Sequence, residues 1–353
     1  MNDILKKLIT TRSLSESEYE RLILERTDEI AEELKKEAVK IRKEIYGNEV
    51  FLRGLIEISN YCKNDCNYCG IRRSNRDCER YRLTKDEILV CAAEGYDLGL
   101  RTFVLQGGED VYYTDEMMCE IVSSLKKKYP DCAVTLSLGE KSRESYKRLR
   151  EAGADRYLLR HETADKSHYE LLHPSDMSFE NRFRCLRDLR ELGYAVGCGI
   201  MVGSPYQSAK TIAKDLKFIE TFSPEMCGIG PFIPHEKTPF KDFETGSTSL
   251  TCFLLSVVRI ICPSVLLPAT TALGTADTDG REKGILCGAN VVMPNLSPYS
   301  ARKKYTLYNK KLISGAESAQ EIELLKTKLK NIGYEGVVSR GDNKKKENEN
   351  GNL

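Results

Sequence analysis

Near residue 50 the spacing of apolar positions changes, and the change divides the chain. Before it, Ile30, Leu34, Ala38, Ile41 and Ile45 recur at helical intervals and form one stripe. Ser15 with Glu18 makes a capping box. Residues 1–50 therefore predict N-terminal helices that pack on the next domain. From Leu55 onward, short apolar runs alternate with longer helical patterns. The runs predict strands at 55–58, 102–105, 134–138, 157–159, 198–202, 227–229, 265–267 and 290–293. Helices are predicted at 84–99, 115–129, 142–153, 179–193 and 208–222. Thr84 with Glu87 starts one of them, and Gly99, Gly153 and Gly193 suit helix ends.

Eight alternating units over roughly 240 residues fit an α/β fold, a complete (β/α)8 TIM barrel. The barrel is expected over 51–310, with the N-terminal helical extension before it and a C-terminal helical segment over 311–340. The run 341–353, with Lys344-Lys345-Lys346 and repeated Asn and Glu, predicts a disordered tail. An open doubly wound sheet competes, because alternation alone carries the class.

Composition narrows the functions available. The chain carries 54 Lys+Arg against 53 Asp+Glu, a balance that argues against a broad footprint for nucleic acid or membrane surface. The opening MNDILKKLIT has no sustained apolar core of a signal peptide, and no apolar run reaches membrane-spanning length. Thirteen scattered cysteines read as reduced thiols plus a metal site, which places the chain in a reducing cytoplasm.

The chemistry concentrates just past the first strand, in Tyr61-Cys-Lys-Asn-Asp-Cys-Asn-Tyr-Cys-Gly70. Cys62, Cys66 and Cys69 supply three thiolates with no obvious fourth ligand, since the first histidine is His161. A structural zinc site wants four closed ligands, whereas thiolates are the usual iron–sulfur ligands. A cube of four irons held at three corners leaves one iron open. The zinc reading survives only if Cys78 completes the set, and it would make the chain a zinc-stabilised scaffold protein.

C-x3-C-x2-C with Tyr68 before the last cysteine resembles the signature of the radical S-adenosylmethionine (SAM) superfamily. Further stretches resemble its HydE type, the FeFe-hydrogenase maturases. They include Val104-Leu-Gln-Gly-Gly-Glu-Asp110, Val134-Thr-Leu-Ser-Leu-Gly-Glu140 and Arg160-His-Glu-Thr-Ala164. Others are Gly228-Ile-Gly-Pro-Phe-Ile-Pro-His235, the run 268–275 and the run 287–295, so the resemblance covers the barrel in order.

The resemblance implies one 4Fe–4S cluster held by Cys62, Cys66 and Cys69, with SAM chelated at the open iron. It implies SAM contacts from Tyr68, Gly107, Gly108, Glu109, Ser137, Glu162, Arg182 and Met201. Arg182 would pair with the SAM carboxylate. Thr135, Arg160, Thr270 and Thr271 would bind an anionic substrate, and Arg160, Glu162, Tyr305 and Tyr308 would line the reaction cavity. Helical core packing explains the two tyrosines equally well, and β-branched strand filler explains the threonines. His161, His173 and His235 have no metal-ligand spacing and read as structural.

The function so implied is generation of a 5′-deoxyadenosyl radical in maturation of the hydrogenase H-cluster, on an Fe(CO)2(CN)–cysteine precursor. The implied partners are the companion maturases HydG and HydF and an electron donor such as ferredoxin or flavodoxin, the chain itself being a monomer. A biotin synthase-like or methylornithine synthase-like reaction on a small organic substrate is the alternative. The second cluster that some HydE proteins hold near the C-terminus is not expected, because no cysteine follows Cys287.

Overall fold

In the computed structural model, which describes residues 3–345, the apolar runs form parallel strands. They are β1 Glu49–Leu52, β2 Gly54–Ser59, β3 Thr102–Gly107, β4 Ala133–Ser137, β5 Arg156–Leu158, β6 Ala195–Val202, β7 Met226–Pro231, β8 Val291–Val292 and β9 Glu335–Val337. Strands β2 to β7 pair in chain order as one six-stranded parallel sheet. Helices connect them, as parallel pairing requires, and cover the sheet so that its strands read as nearly continuous apolar runs.

The continuous ladder holds six strands where eight were expected. A second parallel sheet has the order β8-β1-β9. Beyond these ladders, single parallel bridges join Met226 to Leu266, Pro268 to Val291 and Leu55 to Asn295. The stretch 265–267 gives only the Leu266 bridge, not a strand. Pro263 and Pro268 bracket it, and proline has no N–H to give to a ladder. The short strands β1 and β9 were not expected, being too brief for alternation to stand out.

Helices Asp3–Thr11, Glu16–Leu24 and Asp28–Tyr46 make the N-terminal extension. The capping box forms as expected: Ser15 Oγ accepts from Glu18 N–H, and the Glu18 carboxylate accepts from Ser15 N–H. Tyr19, Leu22, Leu34 and Ala38 are buried in the same core as the strands, and Tyr19 Oη donates to Glu220 at 2.6 Å. At the strands' N-terminal ends, Arg53 donates to Gly341 O at 3.0 Å and Arg156 to Asp342 Oδ1 at 2.7 Å. Asn343 Nδ2 donates to Ser264 O at 2.6 Å. Residues 341–345, expected in the tail, are thus bonded across that end, and 346–353 lie outside the described residues. No helix among the described residues is long and apolar enough to cross a membrane.

Candidate active site

The cysteine loop leaves β2 at the sheet's opposite, C-terminal end. Asn60 anchors it: its Oδ1 accepts from Tyr81 N–H at 2.8 Å, and its Nδ2 donates to Lys304 O at 2.7 Å. Lys63 N–H donates to Glu109 O at 2.9 Å, which ties the loop to the turn after β3. That turn needs Gly108, because a Cβ there would lie 2.2 Å from Tyr61 O and 2.8 Å from Cys62 Cβ. Within the loop, Asp65 Oδ1 accepts from Arg72 Nε at 2.8 Å and Ser74 N–H at 3.0 Å.

The three thiols lie within one another's electrostatic reach. Burial, then neighbouring Cys69 and Cys62, pushes the Cys66 thiol up. Burial, then Cys62, pushes Cys69 up to about 12. Three thiolates this close need a compensating positive group, and soft thiolates select iron–sulfur clusters among others. Cys62, Cys66 and Cys69 therefore fit an iron–sulfur cluster. Among the described residues no set of three or more His, Cys, Asp or Glu is gathered to hold a single metal ion. Cys78, the candidate fourth zinc ligand, accepts from Asn60 Nδ2 at 3.5 Å and lines a separate outer cleft with Lys303.

Beside the loop is a cavity of about 270 Å3 that brings together residues far apart in sequence. Tyr68 and Cys69 form one wall, and Gly107 and Ser137 come from the ends of β3 and β4. Arg160 and Glu162 follow β5, and Met201 lies near the end of β6. Thr270, Tyr305 and Tyr308 close the other side.

Arg160 Nη2 and Glu162 Oε2 stand 3.1 Å apart. Even so, Arg160 Nε and Nη2 and Glu162 Oε2 are buried without a hydrogen-bond partner. Buried polar groups are normally satisfied, so this pair, in charge contact but not hydrogen-bonded, keeps bonding capacity for a ligand. Glu162 also sits at φ +65°, a left-handed conformation that costs energy for a residue with a side chain and that gathers at functional sites. Its loop is held by Asp215, whose Oδ1 accepts from Ala164 N–H at 2.5 Å and lies 3.4 Å from His161 Nε2. Both side chains are fully buried, so His161 is structural. Burial, then Glu57, pushes the Tyr305 phenol up; burial does the same to Tyr308. Both therefore face the cavity as neutral hydroxyls.

Other expected residues lie elsewhere. Gly108 and Glu109 line a neighbouring cleft of about 320 Å3, where Glu109 Oε2 pairs with Lys63 at 3.2 Å. Thr135 lines a small inner void of about 30 Å3, its hydroxyl buried without a partner. Thr271 turns away and donates to Glu317 Oε2 at 2.9 Å. Arg182 is buried; its Nε pairs with Glu140 at 2.6 Å and its Nη1 donates to Arg160 O at 2.6 Å. Gly199 of β6 serves close packing, since a Cβ there would lie 2.1 Å from Gly228 O.

A polar wall residue and an ion pair beside Tyr305 were among the features missed. Gln106 lines the cavity and its Nε2 donates to Tyr305 Oη at 3.4 Å. Glu57 and Lys311 form a buried ion pair at 2.5 Å, with Lys311 Nζ 4.8 Å from the Tyr305 ring centroid. A glutamate inside an apolar strand was the available signal for Glu57; nothing local marked its partner.

Comparison with known proteins identifies the family of the chain. Residues 56–219 match the Radical SAM superfamily. The chain is 48% identical over 281 residues to the FeFe hydrogenase maturase subunit HydE of Thermotoga maritima, covering 80% of each chain. It is 30% identical over 332 residues to 3-methylornithine synthase of Methanosarcina acetivorans, covering 94% of this chain and 92% of that one. A solved structure of methylornithine synthase (PylB) superposes with a TM-score of 0.80 at 27% identity, covering 95% of this chain and 97% of that one.

Proposed function

Because this chain belongs to the radical SAM superfamily and to its HydE type, we propose that it acts in FeFe-hydrogenase maturation on an anionic Fe(CO)2(CN)–cysteine complex. The superfamily's 4Fe–4S cluster and SAM together supply a 5′-deoxyadenosyl radical when bound. In this reading Cys62, Cys66 and Cys69 hold three corners of the cluster. Gly107 lets backbone approach SAM, with Tyr68, Ser137, Glu162 and Met201 around it, while Gly108 and Glu109 reach it only from the neighbouring cleft. Arg182 supplies positive charge for the SAM carboxylate, its guanidinium held by Glu140 and Arg160 O.

Arg160 receives the substrate carboxylate, because its planar fork binds carboxylates in two places. Glu162 accepts from the substrate ammonium. Tyr305 and Tyr308 donate to cyanide and carbonyl ends, while Thr270 and Thr135, with Thr271 turned inward, offer hydroxyls deeper in. With SAM and substrate filling the cavity, water would be kept from the radical, which protects it from competing reactants.

The observation that carries this reading is the cavity that sets Cys69 and Tyr68 against the Arg160–Glu162 ion pair, whose facing atoms make no hydrogen bond. HydG and HydF are the proposed companions, with ferredoxin or flavodoxin as electron donor to a cytoplasmic monomer. The single bridges flanking the six-stranded ladder support a complete (β/α)8 barrel over 51–310, between helical segments. Anaerobic expression in a maturase-deficient strain tests the pathway: hydrogenase activity should return, and well-expressed protein that restores none overturns the reading.

The 3-methylornithine synthase reading is favoured by the coverage of 94% at 30% identity. Arg160 and Glu162 would suit an amino acid equally. Mass spectrometry for 3-methylornithine after incubation decides it.

A further inference from the structure

The two residues between Cys66 and Cys69 are held by the end of one short helix, Lys166–Leu172. Asn67 Nδ2 donates to Leu171 O at 3.0 Å, and Asn67 N–H donates to Leu172 O at 3.0 Å. The next acceptor along is His173, whose Nε2 lies 3.2 Å from Tyr68 Oη. Three successive residues thus offer acceptors to two successive residues of the cysteine loop. Just beyond, Met177 Sδ lies 3.7 Å from Cys66 Sγ.

The direction of the Tyr68 bond is set from the other side of the ring. His173 Nδ1 lies 3.0 Å from Tyr169 O, and a carbonyl oxygen only accepts. Nδ1 therefore carries the proton, Nε2 is the acceptor, and Tyr68 must donate. The same Tyr169 O also accepts from the His173 backbone N–H at 3.0 Å, so side chain and helix end are pinned together. The imidazole stacks on the Tyr169 ring at 3.9 Å and meets Tyr68 edge-on at 5.5 Å. Burial, then the charge of Arg182, lowers His173 to about 3, so it stays neutral and keeps this one tautomer.

We propose that His173 is a positioning residue: a fixed acceptor that commits the Tyr68 hydroxyl and turns its ring to the cavity, while residues 171–173 clasp the spacer of the cysteine triad into its working shape before a cluster arrives. That the ring so presented faces SAM rests on the functional reading proposed for this site. The clasp itself does not, because it needs only the polypeptide.

The test uses His173→Leu, His173→Gln and Tyr68→Phe, alone and combined, in the full chain. Glutamine keeps one donor and one acceptor and should rescue; leucine keeps neither. In metal-free protein, amide hydrogen exchange over residues 62–70 should quicken about tenfold in His173→Leu, the size of one lost hydrogen bond, and stay near wild type in His173→Gln. In reconstituted enzyme, SAM dissociation constants should rise about tenfold in His173→Leu and in Tyr68→Phe, with the double variant no worse than either.

Unchanged exchange in His173→Leu overturns the clasp. Additive losses in the double variant overturn action through Tyr68. Should His173→Leu not fold, a His173→Gln that loses more SAM affinity than Tyr68→Phe overturns the proposal. A wild-type enzyme that binds no SAM overturns the functional reading instead, and the exchange experiment still decides the clasp.

Discussion

Replacing Gly108 by alanine should cost the protein its cluster before it costs the fold. The added Cβ would lie 2.2 Å from Tyr61 O and 2.8 Å from Cys62 Cβ. The nearer obstacle is backbone, and a Cβ moves only with its chain, so no rotamer change relieves the clash. Either the turn after β3 or the loop carrying Cys62 must shift. Overpacking of this kind costs about 1–3 kcal/mol, well within what a domain of this size survives. A thiolate displaced from its corner, in contrast, no longer ligates. Gly228→Ala is the control on another strand, because its Cβ would meet nothing nearer than Cys198 O at 3.9 Å. The assay is iron and sulfide content after anaerobic reconstitution, read beside a thermal melt. Gly108→Ala should melt a little lower and hold far less iron, while Gly228→Ala should match wild type in both. Full iron content in Gly108→Ala at an unchanged melting temperature would show that the turn tolerates a Cβ with Cys62 in place.

Arg160→Leu should raise KM for the substrate complex at least tenfold, since a hydrogen bond to a charged group contributes about 1.5–3 kcal/mol, and Arg160→Lys should recover part of it; an unchanged KM would remove Arg160 from the binding site. Lys311→Met should destabilise by about 3–5 kcal/mol by leaving Glu57 buried and unpaired, and Glu57→Leu in the same chain should restore most of it, as chemical denaturation would show. His173 titrates near 6.5 when unfolded and at about 3 when folded, so the unfolded chain binds the extra proton between those values. Its contribution is complete above pH 6.5 and is lost as pH falls toward 3. Wild type should therefore lose about 2 kcal/mol more than His173→Gln between pH 6.5 and 5, and parallel pH profiles would contradict the assignment.

What the sequence disclosed was what is local in it. The boxes at Ser15–Glu18 and Thr84–Glu87 formed as read, because a cap is settled by residues three apart. Strands β2 to β7 stood out as apolar runs, because covered parallel strands are apolar on both faces. The cysteine triad stood out by its spacing. Pairings across the chain were not. Arg182 meets Glu140 and Arg160 O, Thr271 meets Glu317, and Lys311 meets Glu57 across 254 residues, each a matter of which loops the fold brings together. His173 has no metal-ligand spacing and so read as structural; its partner Tyr68 lies 105 residues away. Residues 341–345 were read as tail from composition, yet buried Arg53 and Arg156 give them donor and charge partners that composition does not reveal.

If a radical started at the Cys62–Cys66–Cys69 loop acts on an anionic organometallic substrate in the adjoining cavity, 5′-deoxyadenosine quantified from the anaerobically reconstituted, reduced enzyme, with and without the Fe(CO)2(CN)–cysteine complex, reports it. The nucleoside should form, the complex should accelerate it and be consumed, and Cys66→Ala should abolish it. No 5′-deoxyadenosine from an enzyme holding its full 4Fe–4S cluster would rule out a radical started at this loop.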